Sequence, residues 1–117
     1  MLHNALQTAL YDKLAALHGP TSVGTEVPTG YGTSIDLVLK VSGSCAFYEI
    51  KVAPTIKASI RQAIPQLLEY AYWRKDSKVA DKLVIASKFK VTKEATDFIK
   101  LLRHRFALPP YYEQILP

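Results

Sequence analysis

The sequence predicts an α+β protein, within the broader α/β class, in which a small sheet is built from a meander and two later strands with helices between them. Three observations lead there. Two β-rich runs, residues 34–41 and 44–52, flank Ser42-Gly43 and read as a hairpin. Three stretches repeat apolar residues at helical spacing, beginning near His3, Thr55 and Thr92. The run Lys82-Leu83-Val84-Ile85-Ala86-Ser87 is almost continuously apolar, the pattern of a strand buried on both faces. The resulting order is αβββαβαβ, and its 117 residues suffice for one domain with one core of ordinary size.

The first helix spans residues 3–18, with Leu6, Ala9, Leu10, Leu14 and Leu17 on its apolar side and Gly19-Pro20 as its stop. Residues 21–29, rich in Thr and Val but interrupted by Gly24 and Pro28, predict a short irregular strand leading through Gly30-Tyr31-Gly32 into the hairpin. After the hairpin, Thr55 is the expected N-cap of a long helix whose buried stripe is Ile56, Ile60, Ala63, Ile64, Leu67, Leu68 and Ala71. Pro65 interrupts that stripe. Its ring meets the carbonyl of Arg61 and it donates no hydrogen bond, so a kink or two helical pieces are expected. Residues 74–81 form a polar connection to the fourth strand, 82–87. Thr92 caps a third helix with Ala95, Phe98, Ile99, Leu102 and Phe106 inward and Lys93, Lys100, Arg103 and Arg105 mostly outward. Pro109-Pro110 ends it, and Tyr111–Leu116 closes the chain as an edge strand.

The hairpin carries the chemistry. With Ser42 and Gly43 as turn residues, Val41 pairs with Ser44, Val38 faces Phe47, and Asp36 faces Glu49. Like charges placed opposite each other across an antiparallel pair are destabilising, so this arrangement calls for a cation between them. Period-2 alternation adds Lys51 to the same face. The other face, Ile35, Leu37, Leu39 and Val41 with Ala46, Tyr48, Ile50 and Val52, is the side expected to meet the core. Glu26, on the preceding strand, is a candidate extra acid.

Composition narrows the partners. Fifteen basic residues against ten acidic ones give a net charge of +5, which favours a polyanion. The single cysteine, Cys45, excludes an internal disulfide, and His3, His18 and His104 are too scattered in sequence for a histidine-rich metal site. A reducing, cytoplasmic setting is the expectation. No apolar run reaches the roughly 20 residues of a membrane span, and no signal peptide is evident at the N-terminus.

An acid on the second strand, Asp36, followed on the third by Glu49-Ile50-Lys51, resembles the PD-(D/E)xK nuclease superfamily. The following helix contains Gln66-Leu67-Leu68-Glu69-Tyr70, which is similar to the Q-x-x-x-Y motif of RecB-like and lambda-exonuclease-like members. The resemblance implies a restriction-endonuclease-like fold over residues 1–117, a central mixed four- to five-stranded sheet flanked by helices. It implies a hydrolase that cuts DNA phosphodiester bonds with Mg²⁺, or Mn²⁺ in its place. Asp36 and Glu49 would be metal ligands, hard carboxylate oxygens suited to such an ion, with the backbone carbonyl of Ile50 as a further ligand. Lys51 would position or help deprotonate the attacking water and offset phosphate charge. Gln66 and Tyr70, four residues apart on one helix face, would touch the substrate with Gln62 and Arg61, and Lys57 is a further phosphate contact. Many members carry an acid on the first helix. Here that helix offers only Asp12, with Asn4 and Gln7 at other polar positions, which leaves one metal or two open.

Each of these residues also has a plainer reading. Polar residues on a half-exposed strand commonly mark only a solvated face, and a helix tyrosine commonly buries its ring and wets its hydroxyl. Two functions of different class therefore stand: a Mg²⁺-dependent nuclease, and a catalytically inactive module of the same fold that binds nucleic acid or a protein. Either is compatible with a homo-oligomer or with one part of a larger nuclease assembly.

Overall fold

The computed structural model describes residues 1–74 and 80–117. The elements run α1 (Leu2–His18), a single 3₁₀ turn (Pro20–Ser22), β1 (Val23–Pro28), β2 (Ser34–Val41), β3 (Ser44–Ile50), α2 (Ile56–Tyr72), β4 (Lys82–Ser87), α3 (Lys93–Phe106) and β5 (Pro110–Gln114). The 3₁₀ turn corrects the predicted order. Gly19, at φ 91°, ends α1, and Pro20 then starts a tight turn before β1. Most of the predicted polar connection, residues 75–79, lies outside the described residues.

The five strands form one mixed sheet in the order β1-β2-β3-β4-β5. β1, β2 and β3 are an antiparallel meander, whereas β4 and β5 lie parallel to β3. The switch follows from connection length. A two-residue turn can only return the chain antiparallel, whereas α2 and α3 are long enough to cross over and restart it in parallel. The turn is Ser42-Gly43, both at positive φ (50° and 84°) as a type I′ turn requires. It fixes the predicted register: Val41 pairs with Ser44, Lys40 with Cys45, Val38 with Phe47 and Leu37 with Tyr48.

Both faces of the sheet are covered, which corrects the expectation of one core face and one charged face. On one side Leu6, Leu10 and Leu14 of α1 pack on Leu37, Ala46, Tyr48, Ile50, Val84 and Ala86. On the other, Ile60, Ala63, Leu67 and Tyr70 of α2 with Ala95 and Ile99 of α3 pack on Val38, Phe47, Leu83 and Ile85. Val38 and Phe47 share the face of the predicted carboxylates, so that face is mostly core and only its end is polar. Ile35 joins the α2 side rather than the side of Leu37, which breaks strict alternation at Asp36. Leu17, Val52, Phe98 and Phe106, expected inside, are exposed.

α2 is one helix through Pro65, not two pieces. Thr55 caps it by accepting from the Ala58 amide, and Thr92 does the same for α3 with Ala95. Buried residues both before Pro65, Ile60 and Ala63, and after it, Leu67 and Tyr70, anchor the helix to one core across the bond that Pro65 cannot make. Among the described residues, no helix is long and apolar enough to cross a membrane.

Candidate active site

The site lies at the open end of the β2–β3 hairpin, opposite its turn. There the sheet parts around Asp36. On the β1 side the register runs from Thr25–Leu37 directly to Val27–Ile35, passing over Glu26 and Asp36. On the β3 side it stops at Leu37–Tyr48, so Asp36 and Glu49 are neighbours without being a ladder pair. In place of the missing ladder bond, the Ile50 amide donates to Asp36 Oδ2 at 2.8 Å. That bond draws the carboxylate toward the plane of the sheet, between the two layers of helices. Glu26 completes the opening, with a backbone φ of 49° in the left-handed region that costs a non-glycine residue about 1–2 kcal/mol.

Glu49 reaches the site from β3 and is 5% exposed. Its Oε2 lies 3.1 Å from Lys51 Nζ, and its Oε1 accepts from the Tyr70 hydroxyl at 3.0 Å. Burial pushes the Glu49 carboxyl above the usual carboxylate range. The charge of Asp36 adds to the rise, and Lys51 and Tyr70 oppose it. Burial and the facing Glu49 charge also push the Tyr70 phenol up, which keeps it a neutral donor. The Lys51 amide donates to the Ala86 carbonyl at 2.9 Å, so its main chain is held to β4 while its side chain returns to Glu49.

Two residues of α1 complete the cluster, and the sequence reading did not assign them to it. His3 Nε2 sits 3.3 Å from Asp36 Oδ2. Gln7, one turn further along, donates from Nε2 to the Asp36 carbonyl at 2.8 Å and to Glu26 Oε1 at 3.0 Å. Both flank the buried Leu6 and Leu10, so docking α1 on the sheet carries them to Asp36. The sequence signals were Gln7 among the polar positions of the first helix and its spacing of i and i+4 from His3 beside that apolar stripe. Counting histidines along the chain hid the second, because His3 acts with partners from other elements. Asp12, the one acid of α1, is exposed and plays no part in the cluster.

Of the predicted residues, Asp36, Glu49, Lys51 and Tyr70 come together, with Glu26 at the rim through Gln7. Tyr70 belongs to the core, at 8% exposed, rather than to a helix surface. Gln66 is exposed one turn before it and makes no hydrogen bond to a described residue. Arg61 and Gln62 are exposed. Arg61 and Lys57 line a groove between α2 and α3 that includes none of Asp36, Glu49 or Lys51. Tyr31 fixes the end of α2 by donating from its hydroxyl to the Glu69 carbonyl at 2.7 Å and toward that of Tyr70 at 3.3 Å.

The donor set suits a hard divalent ion in a limited way. Among the described residues no three His, Cys, Asp or Glu side chains form a metal-binding group. Mg²⁺, however, usually takes one or two carboxylates and completes its shell with water and substrate phosphate. Asp36 and Glu49 supply that pair, and Asp36 Oδ1 accepts no hydrogen bond from a described residue. The N–H and C=O of one extended residue point the same way, so the Ile50 carbonyl is directed to the β2 side, where its amide meets Asp36. Comparison of the chain with protein-family profiles, with curated protein sequences and with solved structures finds no match.

Proposed function

We propose that this chain is a metal-dependent nuclease of the PD-(D/E)xK kind, hydrolysing DNA phosphodiester bonds at the open end of the β2–β3 hairpin. The observation that carries the reading is the convergence of Asp36, Glu49 and Lys51, with Glu49 held 3.1 Å from the Lys51 ammonium. A fold gains nothing from placing two carboxylates side by side at a buried spot, since each raises the cost of ionising the other. A bound cation offsets that cost.

Asp36 and Glu49, with the Ile50 carbonyl, would hold Mg²⁺ or Mn²⁺, which supplies positive charge to a phosphodiester oxygen. The chain's own residues do the rest. Lys51 Nζ positions the attacking water and offsets charge on the phosphate. The Tyr70 hydroxyl fixes the Glu49 carboxylate, and the Ile50 amide and His3 fix that of Asp36, so both enter the reaction already oriented. Gln7 ties Glu26 to the main chain of Asp36 and holds the sheet open there.

A specific observation favours a second reading, a module of this fold that binds nucleic acid or a protein without cutting. Both oxygens of Glu49 already have protein partners, Tyr70 and Lys51. One experiment separates the two: linear and circular DNA, single- and double-stranded, incubated with the protein in Mg²⁺, Mn²⁺ or EDTA, with an RNA arm. Metal-dependent cleavage that Lys51→Ala removes while DNA binding persists supports the nuclease. Retained binding with no cleavage in any arm supports the module.

A further inference from the structure

The exposed side of α3 carries a stripe whose chemistry is symmetric about its own centre. Glu94, Phe98, Leu101 and Arg105 follow one another at spacings of four, three and four residues, so they line one face of the helix. All four are exposed, Phe98 and Leu101 to 47% each. Read from the N-terminal end the face is acid, apolar, apolar, base. Read from the other end it is base, apolar, apolar, acid.

The geometry points to a second copy of this chain as the occupant of this face, docked through α3 in antiparallel fashion about a two-fold axis between Phe98 and Leu101. A two-fold interface must complement itself. Here the operation sets Phe98 against Leu101 of the other copy, and Glu94 against its Arg105, twice per dimer. Neither Glu94 nor Arg105 has an ion-pair or hydrogen-bond partner among the described residues. Three other charges of the helix do, Lys93 and Asp97 with each other at 2.8 Å and Arg103 on the Pro110 carbonyl at 2.7 Å. The two charges that the symmetry pairs are therefore available to each other.

Phe98 also belongs to the groove of about 600 Å³ between α2 and α3, lined by Ile56, Ile60, Ile64 and Pro65. One face of a 14-residue helix, about 21 Å long and about 10 Å wide, covers roughly 200 Å², well short of the roughly 800 Å² per partner of a standard interface. The groove extends the apolar surface beside the stripe, and the contact spans both helices. None of Asp36, Glu49 or Lys51 lines it, so this inference does not rest on the nuclease reading.

Sedimentation equilibrium of the full chain over a concentration series tests it by charge exchange. Wild type is expected to reach the dimer mass. Glu94→Arg or Arg105→Glu alone sets like charges together twice per dimer and should raise the dimer dissociation constant by about 10- to 100-fold. An equimolar mixture of the two variants restores opposite charges at both contacts and should recover the dimer, as should the double variant. Leu101→Ser, far from the helix start, weakens the dimer without touching the helix-terminal charge and guards against a folding artefact, with circular dichroism as the check. A monomeric wild type at every concentration overturns the inference. So does a dimer indifferent to either reversal, or a mixture that stays monomeric.

Discussion

The two ends of the β2–β3 hairpin are made of the same two strands and behave in opposite ways. At the turn end every residue from Leu37 to Val41 has its ladder partner, and the positive-φ pair Ser42-Gly43 closes the strands with matching twist. At the open end the ladder stops, Glu26 and Asp36 are passed over, and Asp36, Glu49, Lys51, Tyr70, His3 and Gln7 replace backbone pairing with side-chain bonds. The turn end sets the register and the open end uses it. Leu37 marks the boundary, fully buried under α1 and next in sequence to Asp36.

Paired substitutions across that boundary break the comparison most strongly. Asp36→Asn keeps an oxygen for the Ile50 amide but removes the charge, so metal-dependent cleavage should fall at least about 100-fold. The melting temperature of the metal-free protein should hold or rise, because repulsion with Glu49 is relieved. Leu37→Ala should do the reverse, costing about 2–5 kcal/mol of stability in urea titration with the cleavage rate per folded molecule little changed. An Asp36→Asn protein that cuts at the wild-type rate would remove the open end from the chemistry altogether.

Tyr70→Phe tests how the open end is held. It deletes the donor to Glu49 Oε1 and leaves a buried carboxylate oxygen unpaired, a loss of about 1–3 kcal/mol. Both the melting temperature and the turnover should drop, whereas a helix-surface tyrosine that only touched substrate would lower turnover and leave the melting temperature in place. A smaller effect follows from the raised Glu49 carboxyl. In EDTA the folded state holds that proton over a range where the unfolded chain has released it. Its contribution to stability is therefore full below the ordinary glutamate value and lost as pH rises through the raised one. Urea midpoints taken across that range should fall with pH for wild type and show a shallower fall for Glu49→Gln. Equal slopes would mean that Glu49 ionises freely.

Much of this comparison was legible in the sequence, for reasons tied to particular residues. The Ser42-Gly43 turn determines the register by counting, so Asp36 and Glu49 could be set side by side without coordinates. Lys82–Ser87 announced a central strand because burial on both faces removes alternation. Thr55 and Thr92 announced their helices through local capping. Contacts that depend on how layers dock were not legible. The approach of His3 and Gln7 to Asp36 requires knowing that α1 covers the Leu37 face. The burial of Tyr70 requires knowing that α2 covers the other, and a helical repeat by itself does not say which side of a sheet it will meet. At Pro65 the two-piece alternative failed because propensity counts the lost hydrogen bond but not the core contacts of Ile60, Ala63 and Leu67 on either side of it. Ile35 misled because alternation assumes an unbroken ladder, and the ladder breaks at the next residue.

The smallest expected effect probes the turn end alone. Ser42 holds a φ of 50°, a conformation that type I′ turns fill with Asn far more readily than with Ser, since the short amide side chain tolerates the left-handed region. Ser42→Asn should therefore raise stability by about 0.5 kcal/mol, the scale of a local conformational preference at one exposed residue. Because the register is already fixed by the two-residue turn, the position of Asp36 relative to Glu49 should not change, and neither metal-dependent cleavage nor DNA binding should move. A gain in stability accompanied by altered cleavage would show that the turn, six residues away along β2, still feels the carboxylates, and the hairpin would have to be treated as one mechanical unit with no division between its ends.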